Sequence, residues 1–206
     1  NTYAAEDVAL LFGNIIEQNV ESGTASTVIF SSVTHEIYSY SEYSRAALDK
    51  AFANAARELA PGGHVLARDG VSPGEQPWRM KFLRKDVAEV FKRFATEFKH
   101  GQGAKFEQVS DDEVRLSAHL ANEFICKKDY QKNWHIEVHE EYGAHTLGGY
   151  AAALERAGLE VVSVTGYVNP WIAQHRYEGS VALVDDTTGK PVGWPDTNAI
   201  VVGRKP

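Results

Sequence analysis

The sequence predicts an α/β fold built on a mostly parallel sheet, and two stretches carry that prediction. Between Thr27 and Asp69 a strand pattern, a helical pattern and a second strand pattern follow one another at the spacing of a crossover unit. The same rhythm returns between Leu147 and Gly203. The composition is that of an ordinary globular protein, with 43% hydrophobic and 24% charged residues, which excludes fibrous and disordered classes. At 206 residues the chain suits one domain carrying an insertion.

The elements follow in order. The run Val8-Ala9-Leu10-Leu11-Phe12, stopped by Gly13-Asn14, predicts a short buried strand. Thr27-Val28-Ile29-Phe30-Ser31-Ser32-Val33 is β-branched and apolar on both faces, the pattern of a central parallel strand. Leu48, Ala51, Phe52, Ala55 and Leu59 then recur three and four apart and form one stripe of a helix over residues 42–59. Pro61-Gly62-Gly63 is expected to end that helix, glycine supplying a left-handed cap. His64-Val65-Leu66-Ala67-Arg68-Asp69 is the next strand, with Arg68-Asp69 expected as an ion pair or turn at its end.

Residues 70–143 read as a helical insertion lying over one rim of the sheet, because connections this long carry structure of their own. Val87, Val90, Phe91, Phe94 and Phe98 form one stripe, and Val114, Ala118, Ala121 and Ile125 a second. The second helix is expected to start at Ser110, whose spacing to Glu113 is that of a capping box. The sheet is then predicted to resume with a helix through Leu147, Tyr150, Ala151 and Leu154 ending at Gly158, a strand over 159–164, a long loop and a last strand over 198–203. Val181–Lys190 reads as a small hairpin.

Charge and cysteine usage narrow the partners. Twenty-one Lys and Arg stand against 28 Asp and Glu, a formal net charge of −7, which repels a phosphate backbone and makes nucleic acid a disfavoured partner. The single cysteine, Cys126, leaves no intramolecular disulfide and no thiolate cluster for zinc, which suits a reducing cytoplasm; it reads as a small core residue. No run approaches a membrane span and no signal peptide opens the chain. The only methionine is Met80, so residue 1 is not an initiator; either a tag was removed or the chain is a piece of a longer protein.

Two segments, Ile29-Phe30-Ser31-Ser32-Val33-Thr34-His35-Glu36-Ile37 and Leu59-Ala60-Pro61-Gly62-Gly63-His64-Val65-Leu66-Ala67-Arg68-Asp69, resemble class I S-adenosylmethionine-dependent methyltransferases, specifically their C-terminal two thirds. In that family a strand ending near a His is followed by a helix, a Pro-Gly-Gly turn and a strand ending in Asp. The resemblance implies a Rossmann-like fold, S-adenosylmethionine as cofactor, and methyl transfer to an acceptor that the acidic balance makes a small molecule or protein. It also implies an N-terminal truncation, since the glycine-rich turn and the acidic residue that hold the cofactor in such folds are not found. Gly101-Gln102-Gly103 follows a helical pattern and reads as a loop. If Leu10–Gly13 corresponds to the family's third strand, Gly13, Asn14 and Ile15 fall on the turn beside the adenine, and Ser31 and Ser32 complete the cofactor set. Loss of the first strands would leave Val28–Val33 as an open edge, to be covered by the missing half or by a second copy. A catalytically silent binding module using that edge is the competing expectation.

By position, His35 and Glu36 stand just beyond the carboxyl end of a strand, where open α/β sheets place ligands. His35 is the candidate general base toward an acceptor hydroxyl or amine, with a helix-capping role as the alternative. Glu36 is a second candidate or a first-turn acidic residue favoured by the helix dipole. Tyr38, Asp69, Trp171, His175 and Arg176 are the acceptor-binding candidates, the last three on a loop whose aromatic and cationic mixture suits closing a pocket or packing onto the sheet. His135 and His139 are four apart, a metal-ligand spacing on a helix, but lack a third ligand, so no metal is expected.

Overall fold

The computed structural model describes residues 9–206 and contains two four-stranded sheets, each with its own apolar core. The first sheet has the order β1-β2-β8-β6, from β1 (Ala25–Ser31), β2 (Leu59–Asp69), β6 (Glu160–Tyr167) and β8 (Asn198–Arg204). β1 and β2 are parallel, and β8 runs against both β2 and β6, so the sheet is mixed. α1 (Thr34–Ser39), α2 (Arg45–Glu58) and α6 (Leu147–Arg156) pack on one face. The inward stripe of α2, with Leu48, Phe52 and Ala55, meets Phe30, Val65, Leu154 and Val201 in the first core.

Three expectations for this half need correction. The strand over 27–33 is not central: among the described residues β1 pairs with β2 alone and stands at the sheet edge, the open edge expected for Val28–Val33, with Ile29 64% exposed. α2 is not closed by a glycine cap. It turns directly into β2 through Leu59 in an extended conformation, and Gly62 takes its positive φ of 78° further on, where the register between β1 and β2 shifts. In the expected strand over 8–12, Val8 lies outside the described residues. Ala9–Phe12 form no strand, and Leu10 and Phe12 are fully exposed, an apolar run with no surface to bury against.

The second sheet has the order β4-β5-β3-β7, antiparallel throughout, from β3 (Pro77–Phe82), β4 (Phe106–Ser110), β5 (Glu113–Ser117) and β7 (Val181–Asp185). The expected purely helical insertion is therefore a sheet with α3 (Lys85–Gly101) and α4 (Ala118–Lys127) packed on it. Ser110 and Glu113 do not box a helix start. They flank the Asp111-Asp112 turn of a hairpin, and Val114 and Leu116 alternate inward along β5. The cap belongs to Ser117, whose hydroxyl accepts the Leu120 N–H. Ser117→Ala is expected to cost about 1 kcal/mol, read as a shifted urea midpoint. The expected hairpin at 181–190 is only half local. Val184 bridges Pro191, but β7 pairs along its whole length with β3.

The second core is aromatic. Phe82, Phe91, Phe94 and Phe124 sit with ring centroids 5.1–6.2 Å apart. α3 breaks before its end: Phe98 is extended, and Lys99 and His100 are left-handed. The break aims the Lys99 N–H at the carbonyl of Val138 and the Lys99 ammonium at Glu141. The segment after α5 (Trp134–Glu137) is thereby tied down alongside the first sheet.

Candidate functional site

A cleft of about 410 Å³ opens at the carboxyl ends of β1 and β2, the position where open α/β sheets bind ligands. A larger cleft, about 510 Å³ between Trp78, Thr146 and Trp194, holds Asp196 as the only ionisable lining group among the described residues. The smaller one concentrates the chemistry: His35, Glu36, Arg68, Asp69, Glu137 and Glu140 all line it.

The cleft is organised by Asp69, the last residue of β2 and 3% exposed. One carboxylate oxygen accepts the Thr34 N–H and hydroxyl at 2.6 Å each and the His35 N–H at 3.1 Å, which caps the start of α1. The other accepts the His35 ring Nδ1–H at 2.6 Å and the Gly70 N–H at 2.7 Å. On the far side of the ring, Nε2 faces Glu140 Oε2 at 3.6 Å, and Tyr40 donates its hydroxyl to Glu140 Oε1 at 2.7 Å. His35 thus sits between two carboxylates.

That arrangement sets the protonation states. Burial by itself would lower the imidazole, but the hydrogen bonds and charges of Asp69 and Glu140 outweigh it and raise His35 to about 10. Burial would likewise raise Asp69 and Glu140, and the bonds from His35, with those from Thr34, Gly70 and Tyr40, hold both below the ordinary carboxylate range. At neutral pH the ring is an imidazolium and its two neighbours are carboxylates.

One wall of the cleft is anchored from beneath by a fully buried ion pair on α4. Glu123 contacts Lys127 and accepts the Tyr142 N–H at 3.0 Å and the Gly143 N–H at 2.6 Å. The Lys127 ammonium lies 3.5 Å from the centre of the Tyr142 ring. Tyr142 meets His35 edge-on at 5.1 Å and donates its hydroxyl to Glu137.

The residues expected from the sequence separate into groups. His35, Glu36, Asp69, Ser32 and Arg176 come together along the cleft, with Glu36 exposed at its rim. Arg176 is braced by Asp129 and the Cys126 carbonyl and stacks on Tyr130. Trp171 and His175 stack on each other at 4.7 Å and do not line the cleft, and Trp171 is 60% exposed. Tyr38 is buried against Tyr43. Arg68 and Asp69 form no ion pair, because successive strand residues face opposite sides of the sheet. His135 and His139 are not one helical face: α5 ends at Glu137, and His139 stacks on His100 at 4.1 Å. Among the described residues no cluster of three His, Cys, Asp or Glu is placed to hold a metal ion.

The five residues expected around the cofactor do not form one cradle. Ser31 and Ser32 lie at the carboxyl end of β1. Gly13, Asn14 and Ile15 lie near its amino end, where Asn54 near the C-terminus of α2 donates to the Ile16 carbonyl and Glu58 accepts the N–H groups of Asn19 and Val20. The Ser32 hydroxyl is taken by Arg68 at 2.6 Å. The described residues therefore do not fit S-adenosylmethionine as a complete site.

The sequence reading missed Glu140, Glu137 and Tyr142. No local spacing ties them to His35: Glu140 and Tyr142 reach it only through packing across about a hundred residues of chain, and Glu137 through Tyr142.

No protein-family model and no curated protein matches the sequence. Among solved structures the chain is similar to an S-adenosylmethionine-dependent methyltransferase from Mesorhizobium loti, with 12% identity over 93% of this chain and 67% of that one and a TM-score of 0.44. It is also similar to a chain in the complex between the Haloferax volcanii Trm112 methyltransferase activator and its candidate methyltransferase, with 12% identity and a TM-score of 0.47. That match covers 99% of this chain and 64% of the other, so the present chain spans under two thirds of its length.

Proposed function

We propose that the chain forms the acceptor-binding part of an S-adenosylmethionine-dependent methyltransferase acting on a small molecule. The carrying observation is the His35 imidazolium held between Asp69 and Glu140 at the carboxyl ends of parallel strands. The sequence resemblance over 27–69 supplies the reaction class. In this reading the cofactor half of the site comes from outside the described residues, which accords with the separation of Ser31 and Ser32 from Gly13–Ile15.

His35 acts here as a proton holder. An imidazolium has no lone pair to take an acceptor's proton, and its two N–H groups face Asp69 and Glu140 and fix those carboxylates. Glu140 and Glu137 line the cleft as carboxylate acceptors for an N–H or O–H of the acceptor, Glu140 being held weakly basic by His35 and Tyr40. Asp69 positions the ring, and Arg176 and Tyr177 close the side nearest α4. Glu140→Gln is expected to lower acceptor turnover more than Glu36→Gln, since Glu36 stands at the exposed rim.

Calorimetric titration with S-adenosylhomocysteine tests the reading, comparing this chain with a longer product of the same gene. The expected result is heat from the longer form and none from this chain. Silence in both overturns it.

The free edge of β1 favours a second reading, a non-catalytic module that pairs with another chain, because Ile29 and the unpaired backbone stand ready for a neighbouring strand. A concentration-dependent dimer together with silence toward S-adenosylhomocysteine would select it. Among the described residues no helix is long and apolar enough to cross a membrane.

A further inference from the structure

Among the described residues the cleft holds one guanidinium without an anionic partner and a surplus of carboxylates on another wall. Arg68, at the end of β2, donates Nη1–H to Ser32 Oγ at 2.6 Å, Nη2–H to Asn198 Oδ1 at 3.3 Å and Nε–H to Tyr167 Oη at 3.3 Å. All three acceptors are neutral, and among the described residues no carboxylate lies within 4.0 Å of the guanidinium. A guanidinium has five N–H donors. Three are spent here, and one N–H remains on each terminal nitrogen to meet an anion. The three neutral acceptors fix the plane of the fork without neutralising it.

The wall formed by α1, α5 and the segment after it has the opposite balance. Asp69 and Glu140 share the single charge of His35. Glu137 accepts only the Tyr142 hydroxyl, and Glu36 is exposed at the rim. Arg176, the other guanidinium of the cleft, is already paired with Asp129. Ile136 and Ile172 add an apolar part to the lining. A pocket with a few convergent polar groups around an apolar middle selects by the placement of charge.

We propose that the cleft binds a zwitterion: a small molecule whose carboxylate lies on Arg68 and whose ammonium lies among Glu137, Glu140 and Glu36. This deepens the reading of the cleft as an acceptor site and rests on it for the ligand's role as acceptor. The binding itself requires no cofactor.

The test is calorimetry or nitrogen–proton shift mapping on the full chain with linear ω-amino acids from β-alanine to 6-aminohexanoate. Hexylamine and hexanoate serve as singly charged controls. The expected result is one ω-amino acid bound at least about tenfold more tightly than either control. Arg68→Gln should then reduce that ligand to the level of hexylamine while hexylamine binding stays unchanged, which also shows that the variant is folded. Glu137→Gln should weaken hexylamine and the ω-amino acid together. The proposal is overturned if none of the series binds, if hexylamine matches the best of them, or if Arg68→Gln leaves that ligand unaffected. Because S-adenosylhomocysteine takes no part, failure here is separable from failure of the methyltransferase reading.

Discussion

Glu123→Ala is expected to destabilise the protein by about 3–5 kcal/mol, the cost of leaving one partner of a buried ion pair uncompensated. Both Glu123 and Lys127 are 0% exposed. The substitution strands the ammonium between the rings of Tyr142 and Phe98, and it removes the acceptor of two backbone N–H groups, those of Tyr142 and Gly143. At roughly 2–4 °C per kcal/mol for a chain of this size, the melting temperature should fall by about 6–20 °C. Urea denaturation and a thermal scan both measure it. Replacing the pair together, Glu123→Leu with Lys127→Met, should cost far less, since no lone charge is left behind. A loss below about 1 kcal/mol in the single variant would mean that water reaches the pair and that it does not anchor the cleft wall.

The second large effect is on the pH dependence of stability, where two histidines work in opposite directions. His35 binds its proton more tightly in the folded chain, at about 10 against 6.5. Its contribution is complete below pH 6.5 and is lost as pH rises toward 10. His119, raised against burial by its bond to Glu141, adds a loss of the same sign. His145 behaves oppositely. It is 2% exposed, among the described residues neither ring nitrogen has a hydrogen-bond partner, and burial, with a smaller push from Arg45, lowers it to about 4. Its contribution is present above pH 6.5 and is lost as pH falls toward 4. The unfolding free energy should therefore peak near pH 6–7 and fall on both sides, by on the order of a few kcal/mol on the alkaline limb. His35→Gln should flatten the alkaline limb and His145→Gln the acid limb, each measured as urea midpoints from pH 4.5 to 9.5. An alkaline slope unchanged in His35→Gln would show that the ring is not held as an imidazolium.

What could be read from the sequence was whatever depends on short-range periodicity. The stripe Leu48, Phe52, Ala55 fixed α2, and Val87, Phe91, Phe94 fixed α3, because three- and four-residue spacings map directly onto a buried helical face. The placement of His35 and Asp69 at strand ends was legible for the same reason. Two-residue alternation in short segments was not. Val114 fits a helical stripe with Ala118, Ala121 and Ile125, and only pairing with β3 and β4 makes it a strand residue alternating with Leu116. The second sheet stayed hidden because β7 comes from the far end of the chain. Glu140 and Tyr142 were invisible as site residues, since what recruits them is the α3 break at Lys99 and the Glu123–Lys127 pair. The charge state of His35 could not be foreseen either: an imidazole at a strand end reads as a neutral base until a second carboxylate is found behind it.

The most direct test of the account is the titration of His35 itself, followed by nitrogen–proton correlation of the ring in the intact chain and assigned by loss of its signals in His35→Gln. An imidazole clamped between Asp69 and Glu140 should stay doubly protonated through pH 8 and titrate far above 6.5, toward about 10, falling back in Glu140→Gln. A ring that loses its proton near 6.5 and is indifferent to Glu140 would contradict the cleft described above and restore His35 as an ordinary base.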